Sequence, residues 1–324
     1  MRDESAQTRE EHSQVPWSRR QPKQAAVVYV AAYLVVAVLG GVIVAALEAV
    51  LAPYLEEPVS TAAVLALGLV VMVIAAVVLA LSLLLVLSVC RIPMGARGEL
   101  PMVLAMLALF CLVRPQVFAF LGRWLGNPAA GKQIADALSV VPGQLLLGNT
   151  VLIVWAGFLG RLVSRVIREG KLLLPVAIVA SLADVITVFW GVVAHITETA
   201  PEVAETFSAA APVVAPPEVA VPILSAVGIG DFLFLALFLA VALRYSMRPA
   251  RTMWATFAAM LVAPVAFYVM PNAPGMPGLP FISAAALWAN WSYMKFTQEE
   301  KRALVFSAAL VAAVAAGLWI AFHR

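Results

Sequence analysis

Residues 60–90 read STAAVLALGLVVMVIAAVVLALSLLLVLSVC, and no charged side chain interrupts them. Equally uncharged stretches run over 252–294 and 303–322. A helix needs about 20 consecutive apolar residues to cross a bilayer. A water-soluble fold would have to expose these stretches, so the pattern predicts an all-α, polytopic helical membrane protein.

The composition of the whole chain agrees with this class. Of its 324 residues, 63% are hydrophobic and only 12% are charged, against about 25% charged in an ordinary soluble domain. A disordered chain, a coiled coil and a disulfide scaffold are excluded. The two cysteines, Cys90 and Cys111, lie in or beside apolar runs and indicate neither a metal site nor a disulfide. The net charge of +3 is explained by basic residues at span ends, so no nucleic-acid partner is expected.

The apolar stretches predict nine membrane spans. They lie at about 25–50, 60–90, 100–122, 143–164, 171–195, 221–243, 250–270, 279–295 and 303–322. Arg114 and Pro115 interrupt the third, which is the least regular of the nine. Residues 1–24 are expected to be a polar tail without a cleavable signal peptide, and the connection 196–220 is expected to be irregular and exposed.

The positions of lysine and arginine predict an orientation. With the N-terminus in the cytoplasm, the outer side holds only Arg114, Arg123, Lys132 and Arg324, and every other lysine and arginine lies inside. This imbalance favours N-inside and C-outside. We expect residence in the cell (inner) membrane, with loop 196–220 facing outward.

Two carboxylates lie near the middle of predicted spans, Asp184 in the fifth and Asp231 in the sixth. Each costs about 2.5–3.5 kcal/mol at the centre of a bilayer, so each needs a reason. Asp184 lies 13 residues after Lys171, and Asp231 lies 13 residues before Arg244. At 1.5 Å per residue, both acids sit about 20 Å from an inner cation, and therefore at similar depth.

Two facing carboxyls suit one particular chemistry. At about 3 Å apart both cannot ionise, so they share one proton. One then activates water as a base while the other protonates the substrate as an acid. The alternative from depth alone is a proton or ion pathway, because transporters also keep acids inside the membrane.

Three elements resemble the presenilin and signal peptide peptidase family of intramembrane aspartic proteases. Gly228, Ile229, Gly230 and Asp231 fit its Gly-x-Gly-Asp motif, and Asp184 stands one span earlier, where the family has Tyr-Asp. Pro277, Gly278, Leu279 and Pro280 stand two spans later, where the family has Pro-Ala-Leu-Pro. Ala183 and Gly278 depart from these motifs, and four predicted spans precede the Asp184 helix where the family has five.

The resemblance implies a presenilin-like fold and an aspartic endopeptidase without metal or organic cofactor. Residues 25–170 would form a four-helix scaffold, and residues 171–324 would carry the catalytic helices within the same membrane domain. Asp184 and Asp231 would be catalytic, with the base unassigned between them. The Gly228–Gly230 and Pro277–Pro280 segments would bind the substrate, the latter by adding an extended substrate strand. Transmembrane helices or signal-peptide remnants with the N-terminus inside would be the substrates, and the lipid bilayer is the other partner.

Two rival functions remain open from the sequence, and so does a degenerate family member with a structural role, which the departures at Ala183 and Gly278 allow. A transporter or channel would use Asp184 and Asp231 as a proton site. A prepilin-type leader peptidase also has a Gly-x-Gly-Asp aspartate but usually places Lys soon after it, where this chain has Phe232, Leu233 and Phe234. The Pro277–Pro280 segment also has a plain structural interpretation as a helix start.

Overall fold

A computed structural model describes residues 22–55, 61–138, 144–189, 208–210, 226–268, 277–302 and 306. This part of the chain is mostly helical. Its α-helices are α1 (Pro22–Leu55), α2 (Thr61–Arg91), α3 (Ala96–Val113), α4 (Gln116–Trp124), α5 (Pro128–Leu138), α6 (Gln144–Val163), α7 (Leu173–Phe189), α8 (Ile229–Arg244), α9 (Pro249–Tyr268) and α10 (Leu279–Asn290). Short 3-10 turns occupy Ser164–Val166, Gly170–Leu172 and Trp291–Tyr293. Strands β1 (Ser208–Ala210) and β2 (Ala226–Gly228) pair antiparallel.

Several of these helices are long and apolar enough to cross a membrane. Within the described residues they cover Lys23–Val44, Ala66–Arg91, Leu146–Val166 and Gly170–Val188, and the α3–α4 pair makes a fifth if it is counted as one span. The membrane class is therefore supported, with four or five such helices there. The predicted ninth span, 303–322, lies outside the described residues apart from Phe306.

The predicted third span, 100–122, is not one continuous helix. The chain breaks at Arg114–Pro115, and α3 and α4 meet at an angle of 98°. Proline has no amide hydrogen to donate, and its ring disfavours helical backbone at the preceding residue. Arg114 accordingly leaves the helical region, with φ −117° and ψ 75°.

The segment 196–220, expected to be irregular, contains strand β1. Ser208 pairs with Gly228, and Ala210 pairs with Ala226. The rest of the segment lies outside the described residues.

Helix α8 is the centre of the described bundle. Phe232 and every residue from Leu235 to Ala242 are buried, as expected for a helix that is apolar all round. It packs against α2, α6, α9 and α10. The closest approach is at Gly160 of α6, where an added Cβ would collide with the Leu233 carbonyl. Helix α10 in turn contacts α7, α8 and α9, so it links the Asp184 helix to the Asp231 helix.

A buried ionic network joins the predicted inner ends of α2, α3 and α6. Glu99 is 1% exposed and accepts hydrogen bonds from the guanidinium groups of Arg161 and Arg165. Arg161 also donates to the carbonyls of Val89 and Met94, both at 3.1 Å, at and just beyond the end of α2. The last carbonyls of a helix lack partners within the helix, so Arg161 satisfies groups that burial would otherwise leave unpaired.

Candidate active site

Asp184 lies near the middle of α7, and its side chain is half-buried. Helical spacing predicts a stripe of small and polar residues on the Asp184 face, formed by Ser181, Thr187, Gly191 and His195. The two described hydroxyl groups of this stripe bond to the backbone of their own helix. Ser181 Oγ donates to the Ala177 carbonyl at 2.7 Å, and Thr187 Oγ1 donates to the Asp184 carbonyl at 2.9 Å. The remaining members of that stripe, Gly191 and His195, lie outside the described residues. The Asp184 carboxyl is therefore left to contact other helices.

The Asp184 carboxyl contacts the first turn of α10. Gly278 caps this helix, and Leu279 and Pro280 are its first residues. The amides of Phe281 and Ile282 donate to the Gly278 carbonyl, both at 3.2 Å. The Leu279 amide precedes the helical ladder and has no acceptor within it. It donates to Asp184 Oδ2 at 2.9 Å, and the Gly278 backbone makes a second polar contact with the same carboxyl.

Asp231 stands where β2 passes into α8. Gly228 is both the last residue of β2 and the N-cap of α8, so Asp231 is the third residue of that helix. An acidic side chain at this position reaches back to the backbone of the cap residue, and Asp231 contacts the Gly228 backbone in this way. The carboxyl is half-buried at the junction of strand and helix.

The two carboxyls meet at one peptide unit. A Cβ added to Gly278 would lie 2.8 Å from Asp231 Oδ1, while the next residue, Leu279, donates to Asp184. Standard backbone dimensions then place the two carboxyl groups within about 10 Å of each other. They are also near enough to repel each other when both are charged. The Gly278–Leu279 peptide thus connects two acids that are 47 residues apart in the sequence.

Helix ends provide the electrostatic setting of both acids. Asp184 faces the N-terminus of α10, and Asp231 lies in the first turn of α8. The partial positive charge at a helix N-terminus favours a nearby anion. No described lysine, arginine or histidine forms an ion pair with either acid, so the polar contacts of both are made by backbone.

The structure brings together most of the predicted site residues. In the sequence, glycines at 228 and 230 would allow another backbone to come close to Asp231. Among the described residues, an added Cβ on Gly230 would meet no atom within 4 Å, and one on Gly228 would be at an ordinary 3.7 Å from Asp231 Oδ2. The close approach that the described residues show is at Gly278, where the backbone before α10 contacts the Asp231 carboxyl.

The expectation about the Pro277–Pro280 segment changes. Leu279 and Pro280 are already helical, so this backbone is not extended as strand addition would require. The alternative of a helix start describes it correctly. The extended backbone beside the acids belongs to β2, which reaches Gly228 three residues before Asp231.

Sequence reasoning missed the hydrogen bond between Leu279 and Asp184. A signal was present, since a helix that starts after Pro277-Gly278 leaves its first amide hydrogens without acceptors in the helix, and at a buried helix end another group must accept them.

No family model, curated protein or solved structure matches this chain.

Proposed function

We propose that this protein is an intramembrane aspartic endopeptidase, with Asp184 and Asp231 as its catalytic pair. One observation carries the proposal: both carboxyls contact the same two-residue segment, Gly278–Leu279. A carboxylate is costly inside a bilayer, and two that converge on one point from separate helices are better explained by shared chemistry than by separate structural roles.

The chemistry follows from the pair. A water molecule held between the acids loses a proton to one of them and attacks the scissile carbonyl carbon. The other acid donates a proton, and the resulting tetrahedral diol collapses with cleavage of the C–N bond and protonation of the leaving amine. The assignment of base and acid stays open, because coupled carboxyls titrate as a pair.

Substrate access fits a lateral route through the membrane. Val179 of α7 is 56% exposed, and Ala183, the residue before Asp184, is exposed on the same helix. No described residue covers this side of α7, so a substrate helix diffusing in the bilayer would meet it first. Ala183 stands where the resembled family has tyrosine, and its small side chain leaves the approach to Asp184 open.

Cleavage also requires that the substrate backbone is extended at the scissile bond, because the hydrogen bonds of a helix shield its peptide carbonyls. Strand β2 leads directly into the Asp231 turn and has β1 on one edge. An unwound substrate segment could add to the other edge through backbone hydrogen bonds. We assign this role to β2 rather than to Pro277–Pro280, which leads into the first turn of α10.

The proposal includes a presenilin-like arrangement with nine spans, the N-terminus in the cytoplasm and substrates that enter with their N-terminus inside. A topology reporter fused within loop 196–220 should show that this loop lies outside the cytoplasm. A cytoplasmic reading would reverse the orientation and the expected substrate polarity.

The decisive test is cleavage of a helical transmembrane reporter by purified protein in proteoliposomes, followed by mass spectrometry of the products. Asp184→Asn and Asp231→Asn should each lower the rate at least 100-fold. Asparagine keeps the size of the side chain and a hydrogen-bond acceptor, so the fold is preserved. Ser181→Ala is the matched control, because Ser181 lies on the same helix and bonds only its own backbone; it should retain the rate within about threefold.

Cleavage at the wild-type rate in either asparagine variant would contradict the assignment of Asp184 and Asp231 as the catalytic pair. Proton or ion flux through wild-type protein without any cleavage would favour the transporter.

A further inference from the structure

Helices α4 and α5 pack closely against each other as a helical hairpin, residues 116–138, which we call the α4–α5 hairpin. Helix α4 follows the 98° bend at Arg114–Pro115, so it runs nearly at right angles to α3. If α3 crosses the membrane along the bilayer normal, α4 runs along the membrane plane with α5 packed against it. The hairpin sits at the end of α3 opposite the Glu99 network, which occupies the first turn of that helix.

Helix α4 has one strongly apolar face. At 100° per residue, Phe120, Leu121, Trp124 and Leu125 fall within a single arc. All four are exposed, with Trp124 at 76% and Leu125 at 71%. Arg123 lies on the other side of the helix. The long helices of the bundle are apolar all round, so this division into two faces distinguishes α4 from them.

Helix α5 continues the same pattern. Ile134 is 46% exposed on its apolar side, while Lys132, Gln133 and Asp136 occupy the opposite arc. The charged side chains of the two helices include both signs, with basic groups at Arg123 and Lys132. Amphipathic helices with aromatic and leucine side chains on one face and basic residues on the other bind in the interface of a bilayer.

Local hydrogen bonds define the turn between α4 and α5. Gly126 takes φ +76°, which ends α4 in the left-handed conformation that glycine adopts at low cost. The amides of Gly126 and Asn127 return to the carbonyls of Arg123 and Gly122, as in a Schellman motif. Asn127 Oδ1 then accepts from the Ala130 amide at 3.2 Å and caps α5.

The two helices also pack at a distance only glycine allows. An added Cβ on Gly122 would lie 2.6 Å from Gly131 Cα, and one on Gly131 would lie 2.5 Å from the Phe118 carbonyl oxygen. This contact fixes the relative rotation of α4 and α5, and so holds their apolar arcs in place.

We propose that the α4–α5 hairpin is a phospholipid-binding element that lies in the headgroup–acyl boundary of one leaflet, with Trp124 and Leu125 inserted toward the acyl chains. A position in water would leave this apolar arc uncovered. A position in the hydrocarbon centre would bury Arg123 and Lys132 away from water. The interface satisfies both faces at once, and tryptophan is enriched at that depth. The inference does not depend on the proteolytic function.

The test uses the full-length protein labelled with 5-fluorotryptophan in phosphatidylcholine nanodiscs. The chain has eight tryptophans, and the Trp124 resonance is identified by its loss in Trp124→Phe. Paramagnetic broadening is compared between nanodiscs containing lipid with a nitroxide near the headgroup and nanodiscs containing lipid with a nitroxide at the end of the acyl chain. A water-soluble gadolinium chelate is the third probe.

We expect broadening of Trp124 by the shallow nitroxide to exceed that by the deep one at least twofold. Trp155 is the internal control, identified by Trp155→Phe, because it stacks on Phe110 with ring centroids 5.4 Å apart within the bundle. It should respond less than Trp124 to the shallow nitroxide. The variant Leu125→Glu should raise the broadening of Trp124 by gadolinium at least twofold, as the charge draws the hairpin toward water.

Two results would overturn the proposal. Broadening of wild-type Trp124 by gadolinium with no response to either lipid probe would place the hairpin in water. Stronger broadening by the deep nitroxide would make it a re-entrant segment in the hydrocarbon core.

Discussion

The carboxyl of Asp184 accepts a hydrogen bond from the backbone amide of Leu279, at 2.9 Å, across 95 residues of sequence. An acid on one helix thereby caps the N-terminus of another. The contact gives Asp184 a structural role beside the catalytic one we propose, and the two roles respond differently to substitution.

Asp184→Ala and Asp184→Asn should separate these roles. Alanine removes the acceptor for the Leu279 amide, so the free energy of unfolding should fall by about 1–2 kcal/mol. Asparagine keeps an acceptor oxygen and should stay within about 0.5 kcal/mol of wild type. Both variants should lose cleavage of the reporter. Equal stability of the two variants in denaturant titrations would show that the capping bond contributes nothing.

Gly278→Ala should be far more harmful than Gly230→Ala. The added methyl at 278 would lie 2.8 Å from Asp231 Oδ1 and displace that carboxyl, which should cost about 1–3 kcal/mol of stability and lower the cleavage rate at least tenfold. The methyl at 230 meets no described atom within 4 Å, and alanine reduces the freedom of the unfolded chain, so stability should be unchanged or higher.

Thermal unfolding in detergent measures the first effect, and reporter cleavage measures the second. A Gly278→Ala protein with wild-type activity would mean that Asp231 does not need its present position.

Arg161→Leu should destabilise the protein strongly. Glu99 would lose one of its two guanidinium partners in a buried site, and the Val89 and Met94 carbonyls would lose a donor. Breaking a buried ion pair from one side costs about 3–5 kcal/mol. Arg168→Leu, at an exposed position on the same side of the protein, should change stability by only about 0.5 kcal/mol.

Denaturant titration of both arginine variants in the same detergent provides the comparison. Similar losses in the two would contradict a special role for the Glu99 network.

Glu300 should contribute stability that disappears in acid. The hydrogen bond from the Lys171 ammonium, with the Thr297 backbone amide, lowers the pKa of the Glu300 carboxyl below its ordinary value. A carboxyl with a lowered folded pKa stabilises the fold above its unfolded pKa, and the effect is lost as the pH falls through the folded value. Glu300→Gln should therefore lower the unfolding temperature at pH 7. The difference from wild type should begin to shrink as the pH falls below about 4.3, the ordinary pKa of glutamate, and should vanish only below the lowered pKa of the folded state.

Glutamine can still close the capping box with Thr297, which accepts from the Glu300 amide at 3.3 Å. The Glu300 substitution therefore isolates the interaction with Lys171. Glu299→Gln removes the same charge one residue away and serves as the control. A pH-independent difference between wild type and Glu300→Gln would rule out the ionic contribution.

Hydrophobic composition was sufficient to predict a helical membrane protein, because uncharged stretches such as 60–90 have no other stable setting. Residue counts predict that Asp184 and Asp231 lie at similar depth, since a helix converts sequence distance into height; this stays a prediction. The alternative interpretation of Pro277–Pro280 as a helix start agrees with the start of α10 at Leu279. The chain also breaks at Arg114–Pro115, the two residues that interrupt the predicted third span.

Contacts between distant segments were decided only by the tertiary structure. Helical periodicity assigns a face to Asp184 but not the segment it meets, and the packing of α10 against both α7 and α8 placed Gly278–Leu279 between the acids. The sequence likewise does not indicate that the Arg114 guanidinium donates a hydrogen bond to Asn149 Oδ1, or that its side chain packs against Gly148. Depth is a property of one helix in its membrane, whereas a shared site depends on how several helices pack, and the sequence of each helix alone does not contain that information.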